Sequence, residues 1–386
     1  MRICFVCSEY PPGAHGGIGT MTRLLARGFV ARGHQVRVVG IYPRTSDLPL
    51  GSYDDDGIRV WRLRETAVPK IGWMLSRVKL YRQVRAWSRR GEIDLVEVPD
   101  YQGWAARWPS LSVPVIVRLN GSSTYNSTQT GGRVSRRSRR IEKASLARRD
   151  FWCSASRHTA LGTRKAFGIH EEPDAILYNF VEMPARPPGG VRDGTLVTFA
   201  GTLNENKGIL RLLRAWRIVH GEFPAAQLHV YGKDGRLSDG TPVRNAIREE
   251  LPNPSELNVV FHGHVDREEI LQELGRSAVA VFPSLVEAFS HAPVEAMAAG
   301  CPTVFTNRAS GPELITDGVD GLLVDPTDPA SIARAILQIL GDDDLASRLG
   351  SAGRRTVEER FSSAVMIPQN EAFFAGCLER FRQGAR

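Results

Sequence analysis

The chain has 386 residues, 42% hydrophobic and 24% charged, a globular balance for about two domains that excludes whole-chain disorder. No apolar run approaches the ~18 residues of a spanning helix, and five cysteines fit a reducing compartment. The net charge of +8 is unevenly held: residues 1–190 carry 30 Lys/Arg against 16 Asp/Glu (+14), and residues 191–386 carry 20 against 26 (−6). Such a split points to two domains with different partners, the basic one suited to phosphates, an anionic membrane or an acidic substrate.

The first apolar run, 3–7, is too short for a signal peptide and predicts a strand in a cytoplasmic protein. Cys4 and Cys7 would point to opposite faces of that strand, so they make neither a redox nor a metal pair. Further strands are predicted at 36–41, 58–63, 93–98, 113–119 and 151–154, then at 195–200, 226–231, 258–262, 278–282, 302–306 and 321–324. Amphipathic patterns at 20–32, 72–90, 208–220, 268–276, 291–299 and 329–340 predict helices between them. This alternation, seen once per half, implies α/β architecture: two doubly wound, Rossmann-like domains with parallel sheets covered on both faces. Three prolines and two glycines within 181–190 break the pattern. The expected boundaries are an N-terminal domain over 1–183, a linker over 184–190 and a C-terminal domain over 191–366. Ligands of such domains bind at the carboxyl ends of the strands.

Three stretches carry chemistry. The first strand leads through Gly13, Gly16, Gly17 and Gly19 into a helix, where backbone N–H groups can approach an anion. The spacing is not G-x-G-x-x-G and no acidic residue ends the second strand, which disfavours a nicotinamide dinucleotide; the same loop is equally a turn that starts the helix. Gly201, Lys207 and Gly208 follow the strand at 195–200, so Lys207 stands at a loop-to-helix start, either as a phosphate partner or as an ordinary solvated lysine. Finally, the strand ending at Phe282 runs into a loop with Glu287 and a short helix carrying Glu295. Backbone N–H groups at Phe289, Ser290 and His291 suit a pyrophosphate, and two carboxylates can accept from sugar hydroxyls; one capping and one solvated glutamate would give the same spacing.

Gly201…Lys207-Gly208 and Pro283-Ser284…Glu287-x7-Glu295-Ala-Met-Ala-x-Gly-x-Pro resemble the donor-site motifs of retaining GT-B glycosyltransferases of the family 4 type. Gly16-Gly17, Arg32-Gly33-His34-Gln35-Val36 and the run from Gly311-Pro312-Glu313 to Val324 are also similar to that family, so the resemblance spans nearly the whole chain. It implies two Rossmann-like domains facing across a cleft, with a C-terminal stretch from about 367 to 386 crossing back to the N-terminal domain. It also implies a hexose-type sugar moved from a UDP- or GDP-linked donor to an acceptor hydroxyl, with retention and with neither cofactor nor metal. Lys207 would neutralise the donor diphosphate, Glu287 would contact the transferred sugar, and Glu295 would hold the ribose. The N–H groups at Phe289–His291 and near Gly17 would hold pyrophosphate and sugar, with Gly201 beside them. His264 and Val265 match the place where the family holds the base.

The chain departs from the family pattern at two positions. Thr202 stands where the family commonly has Arg, and Asn120 stands near where it often has His. Asn120 and His15 are the candidates for the acceptor side or the reacting centre. The departures support the alternative of a sugar-nucleotide binding or scaffold protein; a sugar-nucleotide epimerase is a third reading of the same architecture and would need general acid–base groups in the cleft. Asp54-Asp55-Asp56-Gly57 reads as a turn, and Asp342-Asp343-Asp344 as a helix cap. The basic amphipathic stretch 71–90 either packs its aromatic side on the sheet or lies on an anionic membrane at its inner face. No aromatic-studded basic motif points to nucleic acid. The acceptor side is expected in the loops 44–56, 69–75 and 100–135.

Overall fold

The computed structural model describes residues 1–13, 16–184, 190–237 and 239–384; the predicted His15 and most of the predicted linker lie outside them. The chain forms two compact units, Met1–Asn179 with Ser363–Arg386, and Phe180–Ser362. The division falls a few residues before the expected boundary, and the return to the first unit begins at Ser363.

Unit 1 runs β1 (Arg2–Val6), α1 (Gly17–Ala31), β2 (Gln35–Tyr42), β3 (Gly51–Asp55), β4 (Ile58–Arg64), α2 (Gly72–Arg89), β5 (Leu95–Pro99), β6 (Val115–Leu119), α3 (Ser123–Gln129), α4 (Arg136–Leu146), β7 (Phe151–Ser154), α5 (Arg157–Phe167) and β8 (Ala175–Ile176). The strands form one sheet in the order β3-β4-β2-β1-β5-β6-β7-β8, parallel throughout except for the β3–β4 hairpin. Helices on both faces explain why β5 and β6 are buried along their whole length.

The hairpin corrects one reading of the sequence. Asp54 and Asp55 belong to β3 rather than to a turn, and only Asp56 and Gly57, with φ of 52° and 86°, make the bend. A two-residue Asp-Gly turn with both φ positive matches the twist of the strands it joins. Asp55 is satisfied within unit 1 by the Tyr10 hydroxyl at 2.7 Å and by Arg23 at 3.2 Å.

Unit 2 runs β9 (Asp193–Ala200), α6 (Ile209–Glu222), β10 (Gln227–Tyr231), α7 (Val243–Glu250), β11 (Val259–Gly263), α8 (Arg267–Arg276), β12 (Ser277–Phe282), α9 (His291–Ala298), β13 (Thr303–Thr306), α10 (Gly311–Leu314), β14 (Leu322–Val324), α11 (Pro329–Leu340) and α12 (Asp343–Arg360). Its six strands are parallel in the order β11-β10-β9-β12-β13-β14. The order reverses between β9 and β12, the switch point where doubly wound sheets open a crevice. Val197, Phe199, Trp216, Val281 and Ile336 form part of its continuous core. Asp342 caps α12 by accepting from the Leu345 N–H at 2.8 Å.

The last helix, α13 (Ser363–Gly384), packs on α1 of unit 1. Phe374 stacks on Phe29 at 5.4 Å. Asn370 accepts from Arg118 at 2.6 Å, and the same guanidinium forks onto the buried Glu97 at 2.9 Å. Both partners of that pair are buried, so each is held by the other and by α13. No helix among the described residues is long and apolar enough to cross a membrane. All five cysteines are free and buried, and burial pushes the Cys4 and Cys7 thiols up to about 12, which leaves them unreactive.

Candidate active site

All six strands of unit 2 are parallel, so their carboxyl ends share one edge. Two loops leave that edge at the switch point. The loop after β9 passes Gly201 and Thr202, then makes a 3-10 turn over Glu205–Lys207, closed by Asn204, whose side chain accepts from the Lys207 N–H at 2.9 Å. The loop after β12 carries Glu287 to the start of α9. The loops are tied by backbone, with Leu285 N–H donating to the Asn206 carbonyl at 2.7 Å. They are also tied by side chain, since the Lys207 Nζ donates to the Glu287 carboxylate. Gly208 lets them close: its φ is +76°, and a Cβ there would sit 2.0 Å from the Pro283 carbonyl oxygen.

Glu287 is only 8% exposed, so its charge leans on Lys207. A β-carbon on Gly201 would touch the stem of Lys207 at 4.0 Å, which puts Gly201 beside the same lysine. At the next position stands Thr202, a neutral side chain where the family commonly has Arg.

Glu295 lies one turn into α9 and pairs with Arg267, the first residue of α8, at 2.7 Å. Burial pushes the Glu295 carboxyl up from its ordinary value, and Arg267 opposes that. His264 and Val265 sit between β11 and α8, separated from Arg267 only by Asp266, so the expected base-binding segment lies beside the Glu295 pair in the chain. Arg267 was missed by sequence reasoning because its partner is 28 positions away on a different helix.

His291 opens α9, whose N-terminus is capped by no side chain. Both of its ring nitrogens are buried without a hydrogen-bond partner among the described residues. Burial, with the Arg267 and Lys207 charges close by, pushes the ring down to about 4, so it is neutral near pH 7. A neutral ring spares the α9 N-terminus a positive charge beside its own partial one. The sequence pointed to the main chain of Phe289, Ser290 and His291; the histidine ring is an addition from the structure. Together the two ion pairs and α9 form one polar cluster at the switch-point edge of unit 2.

The remaining predicted residues belong to unit 1. Gly16 caps α1 and Gly17 begins it, but the neighbouring donors are taken: Glu9 accepts from Gly19 N–H at 2.9 Å and from Gly16 N–H at 3.3 Å. A carboxylate thus stands where the sequence suggested a phosphate. Asn120 follows β6, with its amide nitrogen 3.4 Å from the Arg118 carbonyl. Its backbone N–H and that of Ser122 donate to Asp100, at 2.9 and 3.0 Å. Burial pushes Asp100 up to about 7 against those donors, and Glu142 adds to the rise. Neither Glu9 nor Asp100 announces itself in the sequence, since each is a lone acid whose partners are loop N–H groups. Among the described residues no group of three or more His, Cys, Asp or Glu is placed to hold a metal ion.

Each of the two α/β units carries a polar cluster where its strands end, and comparison with known proteins shows the family. Residues 16–179 match the glycosyl transferase 4-like domain, and residues 186–356 match glycosyl transferases group 1. The chain belongs to the GT-B glycosyltransferases of this group and is a glycosyltransferase. It is 26% identical to the glycogen synthase of Mycobacterium tuberculosis, over 94% of this chain and 91% of that one. It is 28% identical to a phosphatidyl-myo-inositol mannosyltransferase of Mycobacterium leprae, over 96% and 95%. In fold it is similar to sucrose-phosphate synthase from Thermosynechococcus elongatus, with a TM-score of 0.81, 21% identity and 98% and 99% of the chains covered. It is also similar to Anabaena HepE solved with UDP and glucose, at a TM-score of 0.74, 16% identity and 97% and 100% coverage.

Proposed function

We propose that the protein is a retaining hexosyltransferase that uses a UDP- or GDP-linked sugar and an acceptor hydroxyl, in the synthesis of a glycan, a glycolipid or a glycosylated metabolite. The observation that carries the reading is the meeting of Lys207 and Glu287 at the switch point, beside the uncapped start of α9. Lys207 and the N–H groups at Phe289–His291, which lead into α9, offer positive charge to a diphosphate. Glu287 offers a carboxylate to the transferred sugar, and Glu295, oriented by Arg267, offers one to the ribose. His264 and Val265 hold the base through backbone. That HepE was solved with UDP and glucose supports a nucleotide-sugar donor.

In this reading the acceptor oxygen forms its bond to the anomeric carbon on the face from which the diphosphate leaves. The bond from that carbon to the phosphate oxygen breaks, and the acceptor's proton passes to the departing oxygen. No covalent sugar–enzyme bond is formed. Catalysis rests on positioning and on charge stabilisation by Lys207 and α9, without a metal. The basic N-terminal half suits an enzyme working in the cytoplasm beside an anionic membrane surface. A thermal-shift screen over UDP-, GDP-, ADP- and TDP-sugars identifies the donor, because a ligand of the folded state raises its stability. Release of nucleotide diphosphate only with acceptor, and a product of unchanged anomeric configuration, is the expected result. Binding without release would favour a scaffold, and altered sugar stereochemistry an epimerase.

A further inference from the structure

Unit 1 holds a cavity of about 650 Å³ that plays no part in the donor site. Its walls are the first half of α2, the segment 106–109 after β5, and α4. The apolar stripe of α2 is divided between two tasks. Leu80, Val84 and Trp87 serve the core beneath the sheet, while Met74 and Val78, 43% and 38% exposed, turn to the cavity. The packing expected of 71–90 is met by Leu80, Val84 and Trp87, while the earlier turns of the helix line the cavity.

Tyr81, Trp108 and Ile141 line the cavity with apolar surface. Trp108 is 5% exposed, and its indole Nε1–H has no hydrogen-bond partner among the described residues. Arg107, Arg137 and Arg140 also line the cavity, no acid does, and none of the three enters an ion pair among the described residues. Arg77 beside them is bound by the carbonyls of Trp73, Gln102 and Gly103, so no carboxylate balances it either. In the chain, the walls follow β4, β5 and β6.

An anion alone would need no apolar walls, and an apolar solute alone would gain nothing from several unpaired guanidinium groups. We propose that this cavity binds a phosphate-bearing lipid, its chain against Tyr81, Trp108 and Ile141 and its phosphate on Arg107, Arg137 and Arg140. The proposal goes beyond the donor reading and does not depend on it.

The test uses the full chain and three soluble probes followed by tryptophan fluorescence and melting temperature: dodecyl phosphate below its micellar concentration, inorganic phosphate, and dodecyl maltoside. Dodecyl phosphate should bind saturably and raise the melting temperature, while the other two give no saturable change at the same concentrations. Arg137→Glu/Arg140→Glu, two exposed positions on α4, should melt like the parent and bind roughly tenfold or more weakly, as expected for losing charge-assisted contacts. Ala144→Trp, which fills the cavity without touching a charge, should lose binding as well. Equal binding of inorganic phosphate or of dodecyl maltoside, or full affinity in the double charge variant, overturns the proposal. Titration of the same protein with a UDP-sugar is read separately, so failure here leaves the donor site standing.

Discussion

Lys207 and Glu287, 80 positions apart in the chain, share an ion pair at the point where the unit-2 sheet reverses its strand order. Each comes from a different loop, and the loops are locked by the Leu285–Asn206 backbone bond. The pair therefore marks a built junction, in which the lysine can exchange part of its contact with glutamate for a diphosphate.

Lys207→Ala should cost about 2–4 kcal/mol of transition-state stabilisation, the scale of removing one charge-stabilising group. The check is kcat/KM with the donor found in the screen, on protein whose melting temperature is known, because the change also removes an ion-pair partner of the buried Glu287. Kinetics equal to the parent's would take Lys207 out of the reaction.

Glu295→Gln should act on affinity. Its carboxylate is held by Arg267 and would meet a ribose far from the breaking bond, so its contact is the same in ground and transition states. The expected outcome is a raised donor KM with kcat nearly unchanged, and Arg267→Ala should move KM in the same direction by loosening the carboxylate. A fall in kcat at unchanged KM would contradict this role.

His291 should make the protein acid-labile. Its folded value, about 4, lies below the ordinary 6.5, so the unfolded chain takes up a proton that the folded chain refuses. This contribution is complete above pH 6.5 and is lost as the pH falls towards 4, amounting to about 3 kcal/mol at 1.36 kcal/mol per pH unit. Denaturant unfolding of the parent and of His291→Phe at a series of pH values isolates it. The parent's stability should fall more steeply than the variant's between pH 6.5 and 4, and parallel curves would show that the ring takes up its proton as readily in the folded chain as in the unfolded one.

Gly208→Ala should destabilise unit 2 by about 2–4 kcal/mol, since it combines a left-handed backbone with a clash against the Pro283 carbonyl. Calorimetry of the full chain should show a lowered transition, accompanied by weakened donor binding as the two loops part. An unchanged melting curve would mean that the junction tolerates opening.

Much of this was legible in the sequence, because local pattern and chemistry agree there. The strands and helices of both units follow from apolar runs alternating with amphipathic stretches, and Gly201, Lys207, Gly208, Glu287 and Glu295 stand at loop-to-helix starts that a parallel sheet brings to one edge. What stayed hidden depends on distance in the chain. Arg267 finds Glu295 from another helix, Glu9 reaches over the start of α1, and Tyr81, Trp108 and Ile141 come together around one cavity from three separate segments. Strand β3 was hidden for the opposite reason: its aspartates look like a turn, and only Arg23 and Tyr10, brought in by α1 and the loop after β1, make Asp55 acceptable there.

The central claim is that Glu287 acts on the sugar while it is being transferred. As the bond to phosphate breaks, positive charge grows on the sugar, and a nearby carboxylate gains more from that charge than from the neutral ground state. Glu287→Gln keeps the shape and removes the charge. The decisive measurement is steady-state kinetics of this variant with the true donor, after a check that it melts like the parent. In Glu287→Gln, kcat should fall more than KM rises. Full activity, or a loss confined to KM, would contradict it and would make a sugar-nucleotide binding protein the better reading.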